Sequence, residues 1–260
     1  VPLTYNRYLQ MDELLGLQKP LSDGPEHDEM LFIVIHQVYE LWFKQVIHEM
    51  NKLQEKIDAD DVYGSLHTLK RVLTIFKTLV GQVDILETMT PLSFLSFRAR
   101  LDKASGFQSA QFRELEFLLG HRDADKLKNY AEGSMWRERL EAGLQSPSIY
   151  DTFINYLGRL GYTIPADVLQ RDRSKTPVPS KGLQEILIDV YKNRPGVAQI
   201  CERMVDLDEG LQEWRYRHVK MVERTIGTKI GTGGSDGAEY LRRTLFRSVF
   251  PDLWAIRASL

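Results

Sequence analysis

Between Pro25 and Gly64 the chain contains neither glycine nor proline, running from EHDEMLFIVIHQVYELWFKQ onward through Asp58–Asp61. Such a run predicts one long helix, and the acidic residues in its first turn suit the positive end of the helix dipole. Its early part is apolar nearly all round, which predicts burial in the middle of a bundle rather than on its surface. His36 falls inside that part, on the same face as Phe32, Ile33, Tyr39 and Glu40. One imidazole is therefore expected inside the protein.

After Asp58–Asp61, which can cap a new helix, Leu66, Leu69, Leu73, Phe76, Val80 and Val83 recur at alternating steps of three and four. That is the seam of a bundle helix. Thr90 and Pro91 supply the cap and first-turn proline for LSFLSFRARL. Phe94, Phe97 and Leu101 define its inward stripe, and Arg98 lies on it. A guanidinium there needs an anionic partner or must bend its head back to water. Ala104–Ser109 breaks the pattern, and Phe112, Leu115 and Leu118 start a helix that stops at Gly120. Shorter helical pieces follow, including one through Ile149, Phe153, Tyr156, Leu157 and Leu160, and the polar run Arg171–Gly182 is the most loop-like part of the chain. Gly182–Asn193, Gly196–Ile226 and Ala238–Phe246 read as helices, as does a short amphipathic segment in Val1–Pro20 whose tyrosines look like contact residues. No convincing apolar-polar alternation occurs. The expected fold is an all-α helical bundle, one domain over residues 1–260 with residues 1–20 as an N-terminal arm.

Composition excludes several classes of function. The 260 residues are 43% hydrophobic and 27% charged, enough for a large core. A net charge of -2 argues against nucleic acid as the main partner, since phosphate binding needs a basic excess or face. The longest apolar run, Met30–Ile35, is far short of the roughly 20 residues a membrane span takes. Cys201 is the only cysteine, so no intrachain disulfide, CxxC metal site or CxxCH haem attachment can form. No signal peptide is read at the start, and a reducing cytoplasm is the expected location.

The second inward imidazole lies near the other end. Leu211, Trp214, His218, Met221, Val222 and Thr225 fall on one helical face, while Arg215, Arg217, Lys220, Glu223 and Arg224 mostly take the others. Gly227, Gly231, Gly233 and Gly234 then end the helix in a loop able to approach a ligand closely, with Ser235 and Asp236 placed to cap the next helix. HExxH, GxSxG and Walker A motifs are absent, and the glycines follow a helix rather than a strand, which removes the dinucleotide fingerprint. Two inward histidines, an inward arginine, aromatics and a glycine loop suit a flat aromatic cofactor bound between helices, with imidazole as an axial haem ligand. They equally suit two core histidines satisfied by carbonyls and an ordinary glycine cap.

Three stretches tip this balance: FIVIHQVYELWFKQ; ETMTPLSFLSFR with SGFQS; and WRYRHVK followed by IGTKIGTGGSDG. Together they resemble the tryptophan 2,3-dioxygenases, haem enzymes that open the indole ring. The resemblance runs in order from LTYNRYL near the N-terminus to FPDLW near the C-terminus, over nearly the whole chain.

The resemblance implies a non-covalent haem b, one per subunit, with His218 as the proximal iron ligand and Trp214, Ser105 and Gly106 beside the cofactor. It makes His36 the distal histidine and the catalytic-site residue nearest the indole N–H of L-tryptophan, with Phe32 and Phe94 lining the pocket. Arg98 would clamp the substrate carboxylate, and Thr232 would bond its ammonium or carboxylate. Tyr5, Tyr8 and Leu9 match a segment that in this family reaches into a neighbouring subunit's pocket, so a homotetramer is implied. The implied reaction adds O2 across indole C2–C3 to give N-formyl-L-kynurenine, the first step of the kynurenine pathway. Related indoleamine dioxygenases lack a histidine at the position of His36, which favours the tryptophan enzyme. Two departures stand out: Phe94 replaces a tyrosine found in some members, and Lys103 replaces a proline found in many. Altered affinity rather than altered chemistry is expected from them.

Overall fold

A computed structural model describes the chain apart from Val1, Pro25, residues 233–236 and the side chain of Tyr240. The expected caps Ser235 and Asp236, with Gly233 and Gly234, lie outside the described residues. Among the described residues every regular element is helical, as the apolar spacing predicts.

The N-terminal arm is two short helices, α1 (Tyr5–Leu9) and α2 (Met11–Leu15), where one was expected. The break falls at Gln10, held in the left-handed region at φ 51°. Nothing in the arm is buried against the rest of the chain.

The long helix α3 (His27–Asp58) forms as expected, followed by α4 (Val62–Leu86), whose N-cap Asp61 accepts from the Gly64 N–H at 2.7 Å. The seam of α4 behaves as its spacing requires. Leu69, Phe76 and Val83 are buried, and Leu66, Leu73 and Val80 pack partly covered beside them. Burial along α3 corrects the expectation, because its first turns are not in the middle of the bundle: Met30, Val34 and Leu41 are exposed, and the continuous core begins at Phe43.

Next come α5 (Pro91–Arg98), capped by Thr90, then the one-turn 3-10 helix Gly106–Gln108, and α6 (Ala110–Leu119), which ends on Gly120 at φ 102°. Helices α7 (Met135–Gln145), α8 (Ile149–Arg159), the single turn α9 (Ala166–Leu169) and α10 (Lys181–Asn193) bring the chain to α11 (Pro195–Ile226). At 32 residues, α11 is about 48 Å long. It packs along α4, which in turn packs along α3, so the two longest helices share one partner.

The final helices are α12 (Ala238–Arg242), shorter than the expected Ala238–Phe246, and α13 (Pro251–Ala255). Phe246 itself sits at φ 60°, a conformation no helix contains. Two buried carboxylates fix this end of the chain. Asp208 on α11 accepts from the Val249 and Phe250 N–H groups and from Trp254 Nε1–H, while Asp252 accepts from Tyr150 Oη–H and the Ser180 N–H. The FPDLW segment is thereby held against α11, and Leu241 and Thr244 lie at the same end of the molecule as Gly231 and Thr232.

Candidate active site

At that end α3, α5, α6 and α11 enclose a mainly apolar cavity of about 260 Å³. A single water needs only roughly 10–15 Å³, so this is a ligand-sized space and not a packing void. Phe32, His36, Tyr39 and Glu40 enter it from α3; Phe94 and Arg98 from α5; Trp214, His218, Met221, Val222 and Thr225 from α11. Ser105, Gly106, Gly231 and Thr232 close it from the two loops. The two helical faces read from the sequence thus meet at one cavity, apart from Ile33 and Leu211, which stay outside its lining.

His218 has no hydrogen-bond partner among the described residues. Its ring packs beside that of Trp214, one turn earlier, at 5.1 Å between centroids. Burial, with a smaller contribution from His36, lowers its pKa to about 4. The imidazole is therefore neutral, with a lone pair available to the cavity.

His36 is also pushed toward neutrality by burial, against the opposing effects of the Phe32 carbonyl and Glu40. Its Nδ1 lies 2.7 Å from the Phe32 carbonyl oxygen. A carbonyl can only accept, so Nδ1 carries the hydrogen and Nε2 is left as an acceptor. Phe32 also packs on His36 with centroids 4.1 Å apart, and Phe94 and Phe97 complete the aromatic wall behind it.

Arg98 does not lie wholly in water, and it meets no acid among the described residues. Its Nη2 donates to the Ile230 carbonyl at 2.5 Å, and its Nε is buried without a hydrogen-bond partner among them. Thr232 Oγ1 donates to the Ala104 carbonyl at 2.7 Å. The loop after α11 is thus tied to α5 by one bond and to the Ser105 loop by the other. Gly227 and Gly237 bound that loop at φ 59° and 57°; a Cβ at Gly237 would come within 2.9 Å of the Lys229 carbonyl oxygen, so only glycine fits there.

The donor set discriminates between kinds of metal centre. No cluster of three or more His, Cys, Asp or Glu side chains able to hold an ion occurs among the described residues. A bare ion would lack ligands here. A macrocycle that brings its own equatorial nitrogens needs only one axial imidazole and apolar walls, and His218 and its surroundings fit that requirement.

Two kinds of lining residue escaped the sequence reading. Val83, Leu86 and Met89 come from α4 and the turn after it. Arg113, Glu116 and Arg215 form a buried charged cluster in the cavity wall. Arg215 corrects the expectation that the charges of α11 take its outer faces, since it is only 3% exposed. The one available signal was Arg113 and Glu116 at i and i+3 amid FRELEFLL, a pair flanked on both sides by core residues.

Comparison with known proteins decides the family. A model of the family described as tryptophan 2,3-dioxygenase matches residues 2–139 and 167–260. A tryptophan 2,3-dioxygenase of Herpetosiphon aurantiacus is 57% identical, the alignment covering 99% of this chain and 98% of the relative. One of Anaeromyxobacter sp. (strain K) is 56% identical over 99% and 96%, and one of Caulobacter vibrioides 47% identical over 99% and 98%. The chain belongs to the tryptophan 2,3-dioxygenase family. Every residue lining the cavity lies within the segments matched to that family, and residues 140–166, outside the match, supply none.

The two departures from the tryptophan dioxygenase pattern have local settings. Phe94 is buried between Phe32 and Phe97 and offers no hydroxyl to the cavity. Lys103 follows Asp102, whose φ is 47°. A proline at 103 would restrict Asp102 to extended backbone, so this turn requires a residue other than proline at that position.

Proposed function

We propose that this chain is a haem-dependent L-tryptophan 2,3-dioxygenase, adding both atoms of O2 across indole C2–C3 to give N-formyl-L-kynurenine, the first step of tryptophan catabolism by the kynurenine pathway. The observation that carries this is the pairing of His218, neutral and without a hydrogen-bond partner among the described residues, with His36, fixed as an acceptor, in one apolar cavity. Haem, when bound, supplies the O2 activation and the oxygen-insertion chemistry.

Each residue then has a task that its geometry permits. His218 would hold the iron of a haem b, its ring packed beside that of Trp214. Ser105 and Gly106, which line the cavity from their loop, would lie beside the cofactor. His36 Nε2 accepts from the indole N–H; because that N–H is a very weak acid, His36 positions the ring rather than serving as an obligatory base. Phe32 and Phe94 hold the indole face by apolar contact.

Arg98, with Nε unsatisfied, takes the substrate carboxylate. Thr232 has already given its hydroxyl hydrogen to Ala104, so its remaining lone pairs accept from the ammonium. The two loops around the cavity exclude water from the reacting ring, and the clamp on both amino-acid charges fixes C2 and C3 in place.

The arm adds an assembly to this account. Tyr5 and Tyr8 are each 71% exposed, and Met30, Val34 and Leu41 are left uncovered on α3. These surfaces suit a homotetramer in which Tyr5, Tyr8 and Leu9 complete a neighbour's pocket. The whole chain acts as one catalytic domain with its arm, in the cytoplasm; no helix among the described residues is long and apolar enough to cross a membrane.

Turnover with 18O2 tests the reaction. A product carrying two labelled atoms is expected. Incorporation of one atom would instead support hydroxylation on the same scaffold, and haem binding without product would support a sensor.

A further inference from the structure

The tasks assigned above leave a buried ionic cluster in the cavity wall unexplained. Arg113 Nη1 donates to Glu116 Oε2, and Arg215 Nη2 donates to Glu116 Oε1 at 3.0 Å, so one carboxylate is shared by two guanidinium groups. Arg113 is 8%, Glu116 4% and Arg215 3% exposed, and all three border the cavity onto which His218 opens. Arg215 stands one turn before His218 on the same helix. Its other hydrogen bonds are to neutral groups, the Thr244 and Arg247 carbonyls, and Arg113 Nε is buried without a hydrogen-bond partner among the described residues. The cluster therefore carries one positive charge more than negative.

Among the described residues the rest of the wall does not cancel that surplus: the formal charge of Glu40, which takes a hydrogen bond from the neutral Gln111 amide, is offset by the Arg98 guanidinium, so three guanidinium groups face two carboxylates. A zwitterionic amino acid on Arg98 brings no net charge.

We propose that the Arg113–Glu116–Arg215 cluster is an electrostatic positioning element for the cofactor site, its unmatched positive charge biasing the iron toward the ferrous state. The proposal rests on haem being held by His218. Reduction adds one electron to the ferric centre and lowers its charge by one, with no bond made or broken in the cluster; the electron comes from an external one-electron reductant. A fixed cation in a low-dielectric wall favours the form with less positive charge. Burial works against ionised Glu116, but Arg113 and Arg215 outweigh it, so the carboxyl stays charged and the net count holds.

The test is the ferric–ferrous midpoint of haem-loaded enzyme, measured by spectroelectrochemistry with mediators and without tryptophan. At a fixed ambient potential, Glu116→Gln should raise the ferrous-to-ferric ratio several-fold, roughly up to tenfold for one unit of charge, and Arg113→Gln should lower it by a similar factor. Glu116→Asp and Arg113→Lys, which keep the charges, should stay near wild type. Lost packing alone would not give opposite signs to the two neutralising variants. Shifts in the same direction, or no shift in folded, haem-loaded variants, would overturn the proposal. If Glu116→Gln fails to fold, the Arg113→Gln and Arg113→Lys pair still decides it. A wild type that takes up no haem removes the reading beneath the proposal, whereas normal haem binding with a midpoint indifferent to charge removes the proposal only.

Discussion

His36 and Phe32 are joined by a bond of 2.7 Å from ring Nδ1–H to the carbonyl oxygen one turn earlier on α3. The helix itself supplies that carbonyl, so the tautomer of the distal imidazole is set by local geometry before any ligand arrives. Nε2 is left as the acceptor of a ring that lines the cavity, which suits an N–H donor on the substrate.

Substitution of His36 tests that role. His36→Ala should retain haem, raise KM and slow turnover, with a loss of about 1–2 kcal/mol in transition-state stabilisation, roughly five- to thirtyfold in kcat/KM. Steady-state kinetics with L-tryptophan check it. Complete loss of turnover with haem intact would make His36 an obligatory base instead.

Arg98 should act on the carboxylate and little else. Arg98→Leu should raise KM for L-tryptophan by roughly ten- to a hundredfold, because a charged group is left unpaired in a closed site. The same variant should lose little against tryptamine, which has no carboxylate. An unchanged KM for tryptophan would take Arg98 out of the clamp.

Removing residues 1–20 tests the arm. None of α1 or α2 is buried against its own chain, so the remainder should fold with near-native helicity. Light scattering should show a smaller assembly, and KM should rise because, in the proposed assembly, the pocket would lack its neighbour's Tyr5, Tyr8 and Leu9. Unchanged mass and kinetics would contradict the proposed exchange.

A pH effect on stability follows from Asp151. Burial alone would raise its pKa, but bonds from the Ser148 N–H and hydroxyl at 2.8 and 2.7 Å, with Arg171 at 2.5 Å, hold it below the ordinary aspartate range. A depressed folded-state pKa gives stability that is present above the unfolded value of about 3.9 and lost as pH falls through the folded one. Asp151→Asn should therefore cost about 2 kcal/mol at pH 7, with the gap to wild type narrowing below about pH 4 in denaturant titrations. A gap independent of pH would show that charge plays no part.

The parts legible in the sequence were those set by local rules. The Thr90–Pro91 start, the Gly120 stop, the α4 seam and the inward faces bearing His36 and His218 all follow from caps and helical spacing, and the structure reproduces them. Arg215 was misplaced because its burial depends on Glu116, 99 residues away on α6, a pairing no spacing within α11 reveals. The first turns of α3 read as buried because periodicity reports apolar faces, and cannot tell covering by the same chain from covering by another. The break at Gln10 carried no glycine or asparagine to announce a left-handed residue.

The most direct test of the central claim is the absorption spectrum of purified wild type and His218→Ala, oxidised and then reduced, followed by addition of L-tryptophan and air. Wild type should show a Soret band that shifts on reduction and then growth of the N-formylkynurenine absorbance, while His218→Ala should lose the haem or the wild-type spectrum and form no product. A wild type without a Soret band after haem reconstitution, or a His218→Ala protein with unaltered spectrum and turnover, would contradict the account.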